Sequence, residues 1–322
     1  MDKKNYNICQ VSLKENIPLI LENYINFKRI YKNKISFFVI CPKNEISEFQ
    51  KKLNFEEFQI IDEDEIIKFK DFELIYNSLS QNINYKEKFC LRLKWYYQQV
   101  LKISFALDFI QKKKENLIIW DADTVILKKI LFFKKDISIK YGNFFEFHDS
   151  YFKTNKSILN VLPKYYISFL NQFIAISKDE CNFFMKNSIN SNFKNEDLAF
   201  NLSKLILKSI FDTHKNYEGS LFSEYELIGQ SNYKFLNNIQ KPILFLRFGL
   251  NGKLTKSQIF FAKLLGYRHV TYEHCKLDDK SLFMLNRNQS WIRLINIFVK
   301  DLINFSLKYV KHTLFYNFYK FK

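Results

Sequence analysis

The chain has 322 residues, 47% of them apolar, only six Gly and four Pro, and a formal net charge of +17. These figures exclude fibrous and disordered classes and allow one large α/β domain, or two small ones, with a substantial core. The charge alone would suit nucleic acid, but the sequence is rich in Lys, Asn, Ile and Phe and poor in Ala, Gly and Pro. That bias is what an AT-rich genome produces, so no nucleic-acid partner is expected, although a basic surface still attracts nucleotide phosphates and anionic lipid headgroups.

Cys9, Cys41, Cys90, Cys181 and Cys275 are odd in number and widely spaced, without a CxxC pair, and read as reduced structural thiols of a cytosolic protein. Met1–Asn7 is polar and opens no signal-peptide segment, and no stretch reaches the ~18 uncharged apolar residues of a membrane-spanning helix. A cytoplasmic location is therefore expected, with peripheral contact at the inner face of the cytoplasmic membrane as an option.

In chain order, Tyr6–Val11 predicts a strand, 18–31 a helix, Ile35–Cys41 a strand closed by Pro42, 45–53 a short helix, and 58–61 a third strand before a solvated acidic run, 62–65. This βαβαβ order predicts right-handed crossovers and a parallel sheet. The longest helix is expected over 86–112, with Arg92, Trp95, Gln98 or Gln99, and Lys102 recurring every three or four residues along one face. An ordinary amphipathic helix has little reason to place Arg, Gln and Lys on the stripe of a Trp. Leu117–Trp120 is an apolar run of the kind buried on both faces, and it ends in Asp121-Ala122-Asp123. Alternation along a strand puts the two carboxylates on one face, with Ala122 leaving room between them. Such a pair repels itself unless a cation lies between, and Mn²⁺ or Mg²⁺ carrying a diphosphate fits that need better than a helix cap does.

Further strands are expected at 137–139, 143–147, 169–176 (carrying Asn171 and Gln172) and 242–247. Asn195-Glu-Asp197 reads as the cap of a helix over 198–210, and Ser223 as the cap of another, whose first turn holds Glu224 and Glu226. From Trp291 onward, six Lys or Arg stand against one Asp, and polar residues fall every three or four positions. That describes a basic amphipathic helix, able either to pack on the preceding domain or to lie in a membrane interface. A division into 1–283 and a tail, 284–322, follows. No Walker A, GxGxxG or GxSxG motif occurs.

The stretch 117–124 resembles the signature of GT-A glycosyltransferases, in which a strand ending in DxD holds the metal on a nucleotide-sugar diphosphate. Arg92–Lys102 is similar to the R-x-x-W-x-x-Q-Q-x-x-K helix of poorly characterised bacterial glycosyltransferases, and Phe222-Ser-Glu-Tyr-Glu-Leu-Ile-Gly229 to a second motif of the same group. The resemblance implies an α/β, Rossmann-like, mostly parallel sheet flanked by helices. It also implies transfer of a sugar from a nucleotide-diphosphate donor to a glycan or lipid-linked acceptor of the capsule or lipooligosaccharide type. Asp121 and Asp123 would hold Mn²⁺ or Mg²⁺, Arg92 and Lys102 would meet the nucleotide or its phosphates alongside Trp95 and Gln98, and Asn171 or Gln172 would meet the donor sugar. Glu224 is the candidate base if the reaction inverts, and an acceptor contact if it retains. The family's third ligand, a His, is replaced by Arg247 and Phe248, which leaves His269, His274 or none. Two other classes compete: a non-catalytic basic module for membrane or nucleic acid, and a metal-dependent phosphoryl or nucleotidyl transferase.

Overall fold

Four apolar runs become neighbouring strands because each can bury both faces: β1 (Tyr6–Val11), β2 (Ile35–Cys41), β3 (Phe58–Asp62) and β4 (Leu117–Trp120). Between them run α1 (Ile17–Ile30), α2 (Ile46–Lys52), α3 (Phe69–Leu79), α4 (Lys86–Cys90) and α5 (Leu93–Lys113). The chain continues through β5 (Thr124–Ile126), α6 (Asp149–Leu159), β6 (Phe173–Ile176), α7 (Lys178–Ser188), α8 (Leu198–Thr213), α9 (Glu224–Ser231), α10 (Lys256–Leu264), β7 (His269–Thr271) and α11 (Trp291–Tyr319). The computed structural model describes residues 5–32, 34–143, 146–160, 168–188, 198–217, 219–231, 239–240, 242–247, 250–273 and 288–319.

The central sheet has the order β3-β2-β1-β4-β6. Its first four strands are parallel, and β6 closes the edge antiparallel to β4, with Trp120 opposite Phe173. This is the mostly parallel, helix-flanked α/β sheet that the sequence predicts. Alternation along the strands builds two cores. Ile8, Phe37, Val39, Ile118 and Trp120 pack with Phe27 and Phe49 of α1 and α2. Cys9, Phe38, Ile40 and Ile119 pack with the helices of the other face, α5 among them. A smaller third core joins Leu246, Leu254, Tyr267 and Val270 to Leu294, Ile297 and Phe298 of α11, so the tail helix docks by one face.

Several expectations change. The helix expected over 86–112 is broken at Leu91–Arg92, which releases the Arg92 side chain toward Ser220. The strand expected over 169–176 begins only at Phe173, because Gln172 is left-handed (φ 58°) and cannot continue a ladder. Residues 242–247 form no strand and make an isolated bridge from Leu246 to Val270. Of 137–139, Ile137–Ser138 pairs with Phe133–Lys134 in a two-residue hairpin. Asn143 bridges Ser168, while Phe144 and Phe145 lie outside the described residues, as do Asn195–Asp197 and His274.

Candidate active site

Chain direction across the sheet reverses at β1, with β2 and β3 to one side and β4 to the other. In such a sheet the ligand crevice lies beyond the carboxyl ends of the strands at that switch point. Asp121 stands there, one residue past β4. Its backbone N–H donates to Gln172 O (2.9 Å), and its carbonyl accepts from Thr124 N–H (3.0 Å). A tight turn, not strand alternation, therefore brings Asp123 beside Asp121. The Asp123 carbonyl accepts from Tyr272 N–H at 2.9 Å, which anchors the turn.

α5 supplies the counter-charge. Lys102 lies on its inward face, and its side chain is only 3% exposed. The ammonium donates to Asp121 Oδ1 (2.5 Å) and to Glu224 Oε1 (2.7 Å). Burial works against that ammonium, but Asp121 and Glu224 outweigh it and hold its pKa above the ordinary lysine value. The Tyr225 hydroxyl donates to the same Asp121 Oδ1 at 2.5 Å. Burial, reinforced by the Asp121 and Glu224 charges, keeps that phenol protonated, its pKa well above normal. Burial also raises the Glu224 carboxyl, against the pull of Lys102.

The two motifs singled out in the sequence are a single contact strip. Arg92 bonds Ser220 Oγ, Tyr96 Oη accepts from Leu221 N–H (3.1 Å), Gln99 Oε1 accepts from Glu224 N–H (3.1 Å), and Lys102 meets Glu224. α5 thus holds the entry to α9 along four successive points. Gln99, not Gln98, is the glutamine turned to this strip; Gln98 is half-buried. The expected cap by the Ser223 side chain is replaced, since Ser223 Oγ is buried without a partner and Gln99 takes the first free N–H of α9. Lys102, expected to meet phosphate, bridges two carboxylates in this structure. Arg92 keeps its guanidinium 4.9 Å from the Trp95 ring centroid.

On the other side of Asp121, Asn171 is fixed by a bond from Nδ2 to Tyr141 O (2.6 Å), and its Oδ1 is buried without a partner. Gln172 Oε1 is likewise buried and unpartnered. Glu226 is fully buried and accepts from Phe169 N–H (2.8 Å) and Gln230 Nε2 (3.0 Å), so it braces the segment that leads to Asn171 and Gln172.

For a metal, the donor set among the described residues is a carboxylate pair, with no third His, Cys, Asp or Glu converging on it. His269 does not complete it: the ring stacks on Phe245 (4.9 Å) and meets Trp120 and Phe173 edge-on, and burial lowers its pKa to about 3. Arg247 is ion-paired with Glu146 and, at 2.7 Å, Glu273. Asp123 is pushed up to about 7, first by burial and then by Asp121, with Lys102 and Arg247 pulling the other way. A carboxyl in that condition gains from added positive charge. The pair therefore fits a hard divalent ion that takes its other ligands from phosphate and water. Sequence reasoning missed Tyr225 and the Arg247 network. Tyr225 lies inside the second motif, but a Tyr between two acids that draw attention first reads as core.

In fold, the chain is similar to mouse xyloside xylosyltransferase 1 in its apo form (10% identity, 85% of this chain and 99% of that one, TM-score 0.39). It is similar to the galactosyltransferase LgtC with donor and acceptor sugar analogs (10% identity, 80% and 78%, TM-score 0.38). It is also similar to the mannosyltransferase Ktr4p from S. cerevisiae in complex with GDP (12% identity, 74% and 69%, TM-score 0.42). No curated protein matches the sequence. A family profile matches residues 19–227, a span that holds Arg92, Lys102, both aspartates and Glu224–Glu226, and the chain belongs to that family, a family of unknown function, DUF6492.

Proposed function

We propose that the protein is a metal-dependent glycosyltransferase that moves a sugar from a nucleotide-diphosphate donor to a bacterial surface glycan or its lipid-linked precursor. The observation that carries this is a carboxylate pair at the switch point of a parallel sheet, with one member held by a buried lysine that also holds a second acid. Asp121 Oδ1 is occupied by Lys102 and Tyr225, which orients the carboxylate and leaves its other oxygen, with Asp123, for Mn²⁺ or Mg²⁺. A divalent ion bound there offsets the charge that grows on a departing nucleoside diphosphate.

The remaining steps belong to side chains. Arg92, Trp95 and Gln98 border the nucleotide. Asn171 and Gln172, each with a buried unpartnered amide oxygen in the segment whose Gln172 carbonyl meets Asp121 N–H, meet hydroxyls of the donor sugar; such oxygens are costly to leave unpaired. Glu224 takes the acceptor proton if configuration inverts, its carboxyl being made more basic by burial, and only positions the acceptor if configuration is retained. Lys102 sets the charge of both acids and adds its own positive charge beside the diphosphate.

Calorimetry with UDP and GDP, with and without Mn²⁺, tests this reading. Binding that needs the metal, and that Asp123→Asn removes while the fold persists, is expected. Metal-independent binding equal in both proteins would overturn it. Release of pyrophosphate in place of a nucleoside diphosphate would assign the site to nucleotidyl transfer.

A further inference from the structure

Among the described side chains of α11, residues 291–307, one face packs on the fold. Leu294, Ile297 and Phe298 are buried, and Tyr267 Oη reaches Asp301 from the body. On the other face Ile292, Ile295, Val299, Ile303 and Leu307 are exposed, from 51% at Ile295 to 77% at Ile292. With about 100° of turn per residue, all five fall within an arc of about 120°. Exposed Asn296 and Ser306 share that arc, so the face is a mainly apolar stripe in water rather than an unbroken one.

The stripe does not stop at the helix. Phe261 on α10 meets Trp291 edge-on at 5.4 Å, and Phe260, Phe261, Leu264 and Leu265 are themselves exposed, Leu264 to 64%. Cations border this second patch. Lys128 Nζ donates to Lys263 O, and Arg268 donates to Lys129 O, which gathers Lys128, Lys129, Lys263 and Arg268 at the end of α10. Arg29 is close enough to help lower the Lys263 pKa. Arg293 and Lys300 lie exposed along the edge of the α11 stripe. Aromatic and aliphatic groups with a basic border match the boundary of an anionic bilayer, where acyl chains meet phosphates. A second copy of this surface would set like charges against each other. No described helix is long and apolar enough to cross a membrane.

We infer that α10 and the outward face of α11 form one surface that docks in the plane of an anionic bilayer. The surface is built from residues outside the carboxylate site, so it holds or fails independently of sugar transfer.

The test is flotation of the 322-residue chain with vesicles of phosphatidylcholine alone and of phosphatidylcholine with phosphatidylglycerol. Binding only to the anionic vesicles, weakening as salt shortens electrostatic reach, is expected. Ile295→Asp with Val299→Asp should abolish it without changing the mass by light scattering. Lys129→Gln and Lys300→Gln, both on exposed side chains, should each lower it about fivefold. These lysine variants decide the matter if the aspartate variant fails to fold. Binding to neither vesicle, or equally to both, overturns the inference. A dimer that Ile295→Asp with Val299→Asp dissociates would assign the face to a second copy of the chain.

Discussion

Lys102 is the residue on which the site turns. Its ammonium serves two carboxylates, and Tyr225 supplies a second donor to one of them. Removing one partner of a buried ion pair costs about 3–5 kcal/mol, because the surviving charges stay buried. Lys102→Ala should therefore lower unfolding free energy by about that amount in denaturant titration. A lysine that merely met phosphate would leave stability unchanged and weaken only ligand binding. Asp121, Asp123, Lys102 and Glu224 are legible in the sequence as charged residues at telling places. Their mutual arrangement is not, because Lys102 and Glu224 are 122 positions apart and no local pattern pairs them. Tyr225 is illegible for another reason: its hydroxyl meets Asp121 and its ring lies under the Lys102 ammonium, while its sequence setting suits core.

At the level of elements, α5 and α9 act as one unit, and two features of α9 make that possible. Gly229 lets the helix approach the Phe169 ring, since a Cβ there would lie 2.8 Å from Phe169 Cβ and closer still to the ring. Gly229→Ala should cost about 1–3 kcal/mol by overpacking, read as a lower melting temperature; an unchanged melting temperature would mean that the ring moves aside freely. Glu226 is the second feature. Its carboxyl is raised from 4.5 to about 7 by burial. The folded state then holds a proton that the unfolded state releases. Stability is full at pH below about 4.5 and declines as pH rises toward 7, by about 3 kcal/mol in all. Glu226→Gln should flatten that decline in unfolding measured between those pH values, and a decline that persists unchanged would place its origin elsewhere. In the sequence Glu226 reads only as an acid in a first helical turn. The fold buries it against Phe169 instead. Period and composition delimit α1 and the strands β1 to β4 well, but run α5 back through the break at Leu91–Arg92. They overextend the strand at 169–176, because nothing in Asn171-Gln172 announces a left-handed residue. They also pass over α10, although Thr255 and Gln258 form a capping box readable as T-x-x-Q.

For the whole molecule, the mostly parallel sheet follows from apolar runs that only a doubly covered layer can bury, and the reversal at β1 then fixes where a ligand can enter. The basic charge, spread through the sequence, reads first as genomic bias. Three dimensions gather part of it at the end of α10, beside exposed aromatics. Sugar transfer itself is tested most directly by incubating the protein with a panel of nucleotide sugars and measuring nucleoside diphosphate release with and without Mn²⁺, for the native chain and for Asp121→Asn. Release from at least one donor, dependent on the metal and lost in the variant, is the predicted result. Release that continues without metal, or survives Asp121→Asn at the native rate, would contradict it.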